Sequence, residues 1–366
     1  MTARFRTMQR GAPPVRMPTP EHEQIERLVA RLCHEHRVDA SAVRVVRAPL
    51  RICPLGAHID HQLGIVTGMT IDHSILLAFA PAADGVVHID SENFASSATF
   101  DLENVPPRVQ GDWGNYLRGA VLALQQSHQL SRGLVGVVGG DMPIGGLSSS
   151  AAVTIAYLLA FESIHDLRLS AEQNVALARY TENVYIGLNN GILDQTVILC
   201  SAPNHLTRID CQSVAIDQVP FAADGIANEI VDEIADQPAA QPMQPFEILT
   251  VYSGVTHSLV GSDYNSRVAE CQVAATRLRE FAGQPALPAA RLRDADEEVF
   301  RTEADRFAGR TAQARPALLW RDGARPTGHR RVARRQHRSF WRPGQCFGRK
   351  LDCQLRMWQS ATDHPL

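Results

Sequence analysis

Apolar positions in this chain switch between a helical and a strand period several times before residue 300. Ile25, Leu28, Val29 and Leu32 recur at three- and four-residue spacing, which predicts a helix from Glu21 to about His36, capped by Thr19 and Pro20. Residues 42–48, 75–79 and 86–89 read as strands, and 112–124 reads as an amphipathic helix packed on their sheet. A third apolar run, Leu134 to Val138, is followed by a Gly/Ser turn and then by the uniformly apolar stretch Val153 to Phe161. That order predicts strand, turn and buried helix. Further helical spacing covers about 170–184, and residues 190–199 are apolar enough to cross the interior. Ala, Asp, Gln and Pro accumulate at about 220–245, a soft boundary. A strand is expected at 246–252 and a helix at 264–281. The pattern describes an α+β protein of two lobes, without internal repeats.

Beyond about residue 312 both periods are lost. The last 56 residues hold 12 basic and 3 acidic side chains, three of the four tryptophans and the single lysine, whereas residues 1–310 hold 36 acidic and 24 basic ones. Such a tail reads either as a basic arm for nucleic acid or membrane, or as a disordered or non-native segment, and the second reading is the stronger. Residues 1–20, rich in Pro and Arg, are expected to be disordered. No apolar run approaches the ~20 residues of a membrane span. The N-terminus lacks the hydrophobic segment of a secretory signal, and the seven cysteines form no C-x-x-C pair. A cytoplasmic protein with reduced thiols is expected.

Two segments carry candidate chemistry. In Asp141-Met-Pro-Ile-Gly-Gly-Leu-Ser-Ser-Ser-Ala-Ala152, glycines and serines open a helix after a strand. A helix N-terminus presents unpaired N–H groups and partial positive charge, so Gly145, Gly146, Leu147, Ser148, Ser149 and Ser150 are candidates to hold nucleotide phosphates. An ordinary turn with serine N-capping fits the same letters. In Arg47 to Gln62, the groups Arg51, His58, Asp60 and His61 crowd a strand-to-turn region. Groups of that kind are costly to bury without partners and suit recognition of sugar hydroxyls, although a solvated loop fits as well.

Together these segments resemble the galactokinase branch of the GHMP small-molecule kinases. Its sugar signature, Arg-x-x-x-x-Gly-Glu-His-x-Asp, is matched at Arg51, Gly56, His58 and Asp60, and its Pro…Gly-Leu-Ser-Ser-Ser-Ala motif at Pro143 and Gly146 to Ala151. Asn190-Gly-Ile-Leu-Asp-Gln195 is similar to the family's Gly-x-x-Asp-Gln segment, and His257-Ser-Leu with Ser262-Asp-Tyr-Asn265 to its second-lobe segment. The resemblance implies a two-lobed GHMP fold with an N-terminal lobe like ribosomal protein S5 domain 2. The N-terminal lobe would span 21–220 and the start of the second 245–312, followed by a non-family tail at 313–366. It further implies Asp194 as catalytic base beside Arg51, with Arg51, His58, Asp60, Gly191, Asp194 and Tyr264 around the sugar. ATP would lie on the Gly/Ser loop, and Ser150 and Glu182 would bind Mg2+. The partner would be a small sugar or uronic acid, with no nucleic acid or membrane, and the protein a monomer.

Two departures from the family pattern bear on function. The family's sugar-binding glutamate is Ala57 here, and loss of that charge would admit a carboxylate at C6 of the substrate. The phrase around it is similar to galacturonokinases, so the expected substrate is D-galacturonate or galactose, phosphorylated at the anomeric hydroxyl. The family's third motif, a glycine-rich loop in the second lobe, has no counterpart after Tyr264, so that lobe is expected to be incomplete. A reading-frame shift near 312–318 would explain the missing loop and the altered tail together. Two functions therefore stay open: an active sugar 1-kinase, or a catalytically impaired protein that binds sugar or nucleotide.

Overall fold

The computed structural model describes residues 19–82, 84–141, 146–221, 248, 250, 264–296, 298–300 and 358–359. The expectations for 1–18, for the strand at 246–252, for His257 and Ser262, for Gly145, and for nearly all of the tail fall outside those residues.

Strands β1 (Arg44–Ile52), β2 (Ile65–Ala82), β3 (Val86–Ser91), β4 (Ala98–Asp101), β5 (Gly133–Gly139), β6 (His205–Asp210) and β7 (Ala215–Pro220) build the sheet, with the short β8 (Trp358–Gln359) beside β1. Its order is β4-β3-β5-β2-β1-β8, with β6 and β7 attached to the start of β2. Only β3 and β5 run parallel; the other pairs are antiparallel. Helices are α1 (Glu21–His36), α2 (Asn115–Gln125), α3 (Ser149–Ile164), α4 (Ala171–Arg179), α5 (Leu193–Cys200) and α6 (Tyr264–Phe281).

Alternation along the central strands explains the layers. Leu77 and Phe79 of β2 join Val46, Ala48 and Leu50 of β1 in a core shared with α2 and α3. Leu76 and Ala78 point the other way, onto Leu28 and Leu32 of α1. Both faces are covered, so these strands read as continuous apolar runs rather than as alternating ones. α3 is buried on nearly every side, as its uniform apolarity predicts.

Several boundaries differ from expectation. β1 runs on past residue 48 through Pro49, where its register against β2 shifts; a proline, which has no N–H for the ladder, is accommodated at such an irregularity. β2 extends back to Ile65 because it changes partners midway, from β6 to β1 and β5. The helix expected at 170–184 ends as α at Arg179 and continues as a π-helical turn, Tyr180–Ile186. Thr19 does not cap α1: Pro20 holds the cap position, and the Thr19 N–H donates to Asp141 at 2.7 Å.

α5 lies close against β2. A side chain at Gly68 would collide with Val197, so glycine there allows the helix to seat directly on the strand. That seating fixes the first turn of α5 beside the end of β1.

Candidate active site

Arg51 stands near the end of β1 and Asp194 in the first turn of α5, where the helix dipole favours a carboxylate. Arg51 Nε and Nη2 both meet Asp194 Oδ1, at 2.7 and 2.6 Å, with the side chains 13% and 24% exposed. This is a largely desolvated, charge-assisted pair beside the Gly/Ser turn. The turn is tied down twice: Arg51 N–H donates to the Leu147 carbonyl at 3.2 Å, and Arg51 Nη1 lies 3.5 Å from the Gly146 carbonyl.

Ser148 departs from a simple capping role. It holds the N-cap position of α3 in a left-handed conformation (φ 60°, ψ 40°) and makes no side-chain cap bond. Its hydroxyl donates instead to Asp194 Oδ2. Asp194 therefore has one oxygen on Arg51 and the other on Ser148. The hydroxyl expected to serve a phosphate orients the aspartate. Gly146 is exposed at φ 76°, with open space where a side chain would be, and the first turn of α3 follows directly with Ser149 and Ser150. The loop thus offers backbone N–H groups next to the Arg51–Asp194 pair.

Glu182 sits in the π-helical turn and is 1% exposed. Its Oε2 accepts from Asn190 Nδ2 at 2.6 Å and from Gln195 Nε2, and Ser150 also hydrogen-bonds to the carboxyl. Burial, followed by the charge of Asp194, pushes its pKa up to about 7 against the pull of those hydrogen bonds. Among the described residues no arginine or histidine forms a salt bridge with it. Gln195 Oε1 and Asn190 Oδ1 beside it are buried without hydrogen-bond partners. A buried carboxylate lacking a cation, with a serine hydroxyl and spare carbonyl oxygens around it, fits the all-oxygen preference of Mg2+. Tyr116 of α2 also hydrogen-bonds to Ser150, its phenol pushed up to about 12 by burial and by Glu182.

Asp60 begins a short 3-10 turn and is 8% exposed; its Oδ2 accepts from Leu193 N–H at 3.2 Å. It thus ties the sugar-signature turn to the start of α5. Burial raises its pKa, and the neighbouring Asp194 charge adds to the rise. Gly191 packs against this carboxylate. His58, exposed at φ 65°, and His61, buried, meet the ring of Tyr264 edge-on at 6.0 and 5.6 Å. Burial pushes the Tyr264 phenol far above its ordinary value. The next residue, Asn265, fastens α6 to the loop before α5, accepting from Asn189 N–H at 3.0 Å and donating to the Gly187 carbonyl at 2.8 Å.

The structure therefore gathers Arg51, Asp60, Gly191 and Asp194, with His58 and Tyr264 beside Asp60, and it gathers Ser150 with Glu182. Gly145 lies outside the described residues. Sequence reasoning passed over Asn190 and Gln195 as partners of Glu182, although Gln195 ends the Gly-x-x-Asp-Gln segment and Asn190 immediately precedes it. It also passed over Gln62, whose side chain bonds His61 Nδ1 at 2.6 Å and accepts from Leu292 N–H at 3.1 Å.

His61 gives a pH prediction. Burial lowers its pKa from 6.5 to about 4. The unfolded imidazole takes a proton below about pH 6.5, but the folded one only near 4, so the unfolded state binds more protons between those values. Stability should fall as pH drops through that window, by on the order of 2–3 kcal/mol. His61→Gln should flatten that part of the curve in urea unfolding at pH 7, 6 and 5. Parallel curves for variant and parent would remove His61 from this role.

Two family models match this chain. Residues 115–202 match the model of the GHMP kinases N-terminal domain, and residues 33–81 match the galactokinase galactose-binding signature. The galacturonokinase of Arabidopsis thaliana is 40% identical over 269 residues, covering 68% of this chain and 59% of the relative. The galactokinase of Chloroflexus aggregans is 31% identical over 242 residues, covering 66% of this chain and 57% of the relative. The chain thus spans less than two thirds of the length of these relatives. The Lactococcus lactis galactokinase solved with galactose superposes with a TM-score of 0.66 at 24% identity, covering 81% of this chain and 72% of that one, and shares its fold. By its two matched segments and by the fold that carries them, the chain is similar to the GHMP kinases, in their galactokinase branch.

Proposed function

We propose that this protein is an ATP-dependent sugar 1-kinase acting on the anomeric hydroxyl of D-galacturonate or galactose. The observation that carries the reading is the Arg51–Asp194–Ser148 arrangement, an aspartate held at both oxygens beside a glycine-opened helix N-terminus. Phosphoryl transfer asks mainly for positioning and charge stabilisation. Asp194 would accept the proton of the sugar hydroxyl as it attacks. Ser148 and Arg51 fix the carboxylate so that no reorganisation is needed at that moment, and Arg51 stabilises the charge that develops at the loop. Backbone N–H groups from Gly146 to Ser150 would hold phosphate oxygens, and Glu182 with Ser150 would hold Mg2+. Bound there, magnesium ATP would supply the phosphoryl group with part of its charge already neutralised. Asp60, His58 and Tyr264 would contact sugar hydroxyls, with Gly191 giving them room. The same reading makes the protein a cytoplasmic monomer with no nucleic-acid or membrane partner; among the described residues, no helix is long and apolar enough to cross a membrane.

Ala57 supports galacturonate over galactose. It sits between Gly56 and His58, three residues before Asp60 in the sugar-signature turn. A carboxylate there would repel one at C6 of the substrate. ADP release measured with galacturonate, galactose and no sugar should be fastest with galacturonate. Ala57→Glu should move the kcat/KM ratio toward galactose by about tenfold or more, the scale of one like-charge contact in a partly buried site. An unchanged ratio would take specificity away from this position. Sugar-induced thermal stabilisation without ADP release would identify a binding protein instead.

A further inference from the structure

The C-terminal turn of α1 and the outer part of the sheet bring together three groups to which the kinase reading gives no task. His36 is the last residue of α1, while His88 and Asp90 lie two apart on β3 and so share one face of the sheet. His36 Nε2 is 2.7 Å from Asp90 Oδ2, and His88 Nε2 is 3.3 Å from Asp90 Oδ1. The ring centroids are 4.9 Å apart, the rings tilted by 58°, and one donor atom from each of the three residues falls within a span of 4.8 Å. Side-chain exposures of 17%, 29% and 12% leave all three groups partly within reach of solvent.

We infer that His36, His88 and Asp90 form a binding site for a divalent ion of the zinc class, with solvent completing the coordination. Two imidazoles and one carboxylate are a donor set that suits zinc and its neighbours, whereas Mg2+ and Ca2+ prefer oxygen alone. Donors bound at about 2.0–2.1 Å around a tetrahedral ion lie roughly 3.3 Å apart. The His88–Asp90 pair already has that spacing, and the remaining donors, all within 4.8 Å of one another, need to shift by no more than about 1.5 Å. The supporting shell is also in place. Thr99 Oγ1 lies 2.7 Å from His88 Nδ1, which leaves Nε2 free to ligate when Nδ1 carries the proton, and the Ser97 hydroxyl donates to Asp90 Oδ1. Two strands, β5 and β2, separate β3 from β1, and α1 covers the face of the sheet opposite α3. The site is therefore distinct from the phosphate loop. It would clamp the end of α1 to the sheet.

The test is titration of the tag-free full-length chain, stripped with chelator, with Co2+ and then Zn2+ in excess Mg2+. The expected result is one ion per chain, cobalt bands of a four-coordinate nitrogen–oxygen site without thiolate charge transfer, and a Tm raised by Zn2+. His36→Ala and His88→Ala should each weaken binding at least 100-fold, and Thr99→Val by about 10–100-fold. Should a histidine variant fail to fold, Asp90→Asn, which preserves shape, carries the test with Thr99→Val. Absence of binding, affinity undiminished in these variants, or a thiolate band assigning the ion to cysteine would each overturn the inference.

Discussion

Asp194→Asn is expected to lower kcat by about 10²–10⁴-fold while leaving the affinity for ATP nearly unchanged. The amide matches the carboxylate in shape and can still accept from Ser148 or Arg51, so α5 and the loop should keep their positions. It cannot take the proton of the attacking hydroxyl. It also leaves Arg51, 13% exposed, without its countercharge, which should cost some stability. Rate and stability are separable: single-turnover phosphoryl transfer reports the base, and thermal unfolding reports the ion pair. Near-normal turnover in the variant would remove Asp194 from the base role, whatever the change in Tm.

Gly191→Ala should reduce kcat/KM by about 100-fold. The residue is not in the left-handed region, so the effect is one of space rather than of backbone strain. A Cβ built there would lie 2.5 Å from Asp60 Cγ and Oδ2 and 2.6 Å from the Asp60 backbone carbon. The carboxylate cannot simply swing aside, because its Oδ2 accepts from Leu193 N–H, the residue next to Asp194. The alanine must therefore push the sugar-signature turn and the start of α5 apart. Overpacking of this kind costs about 1–3 kcal/mol of stability, and misplacing a reacting group by about 1 Å can cost 100-fold in rate. The loss should appear with every sugar tested. A variant with ordinary kinetics and Tm would show that the turn and α5 can move independently.

The sequence was most legible where chemistry forces residue type. Arg51, Asp60, Gly191 and Asp194 lie as far as 143 positions apart, and it was the resemblance of their motifs to those of one family that pointed to a single site. Legibility failed where tertiary packing overrides a local rule. Serine before a helix predicts a cap, but Ser148 is turned left-handed toward Asp194, a partner 46 residues away. The strand expected at 42–48 runs on through Pro49, because the register shift in β1 that accommodates the proline is a property of the pairing with β2. The hairpin β6–β7 carries an exposed outer strand too polar to show an apolar alternation. His36, His88 and Asp90 are unremarkable singly, and only the packing of α1 on the sheet makes them neighbours.

The central claim, transfer of the γ-phosphoryl of ATP to an anomeric hydroxyl with Asp194 as base, is tested most directly by phosphorus NMR of the reaction with galacturonate and with galactose. The account predicts a sugar 1-phosphate formed in step with ADP, faster from galacturonate, and lost in Asp194→Asn. Phosphate found on another hydroxyl, or no sugar phosphate from either substrate while both ligands still bind, would contradict it.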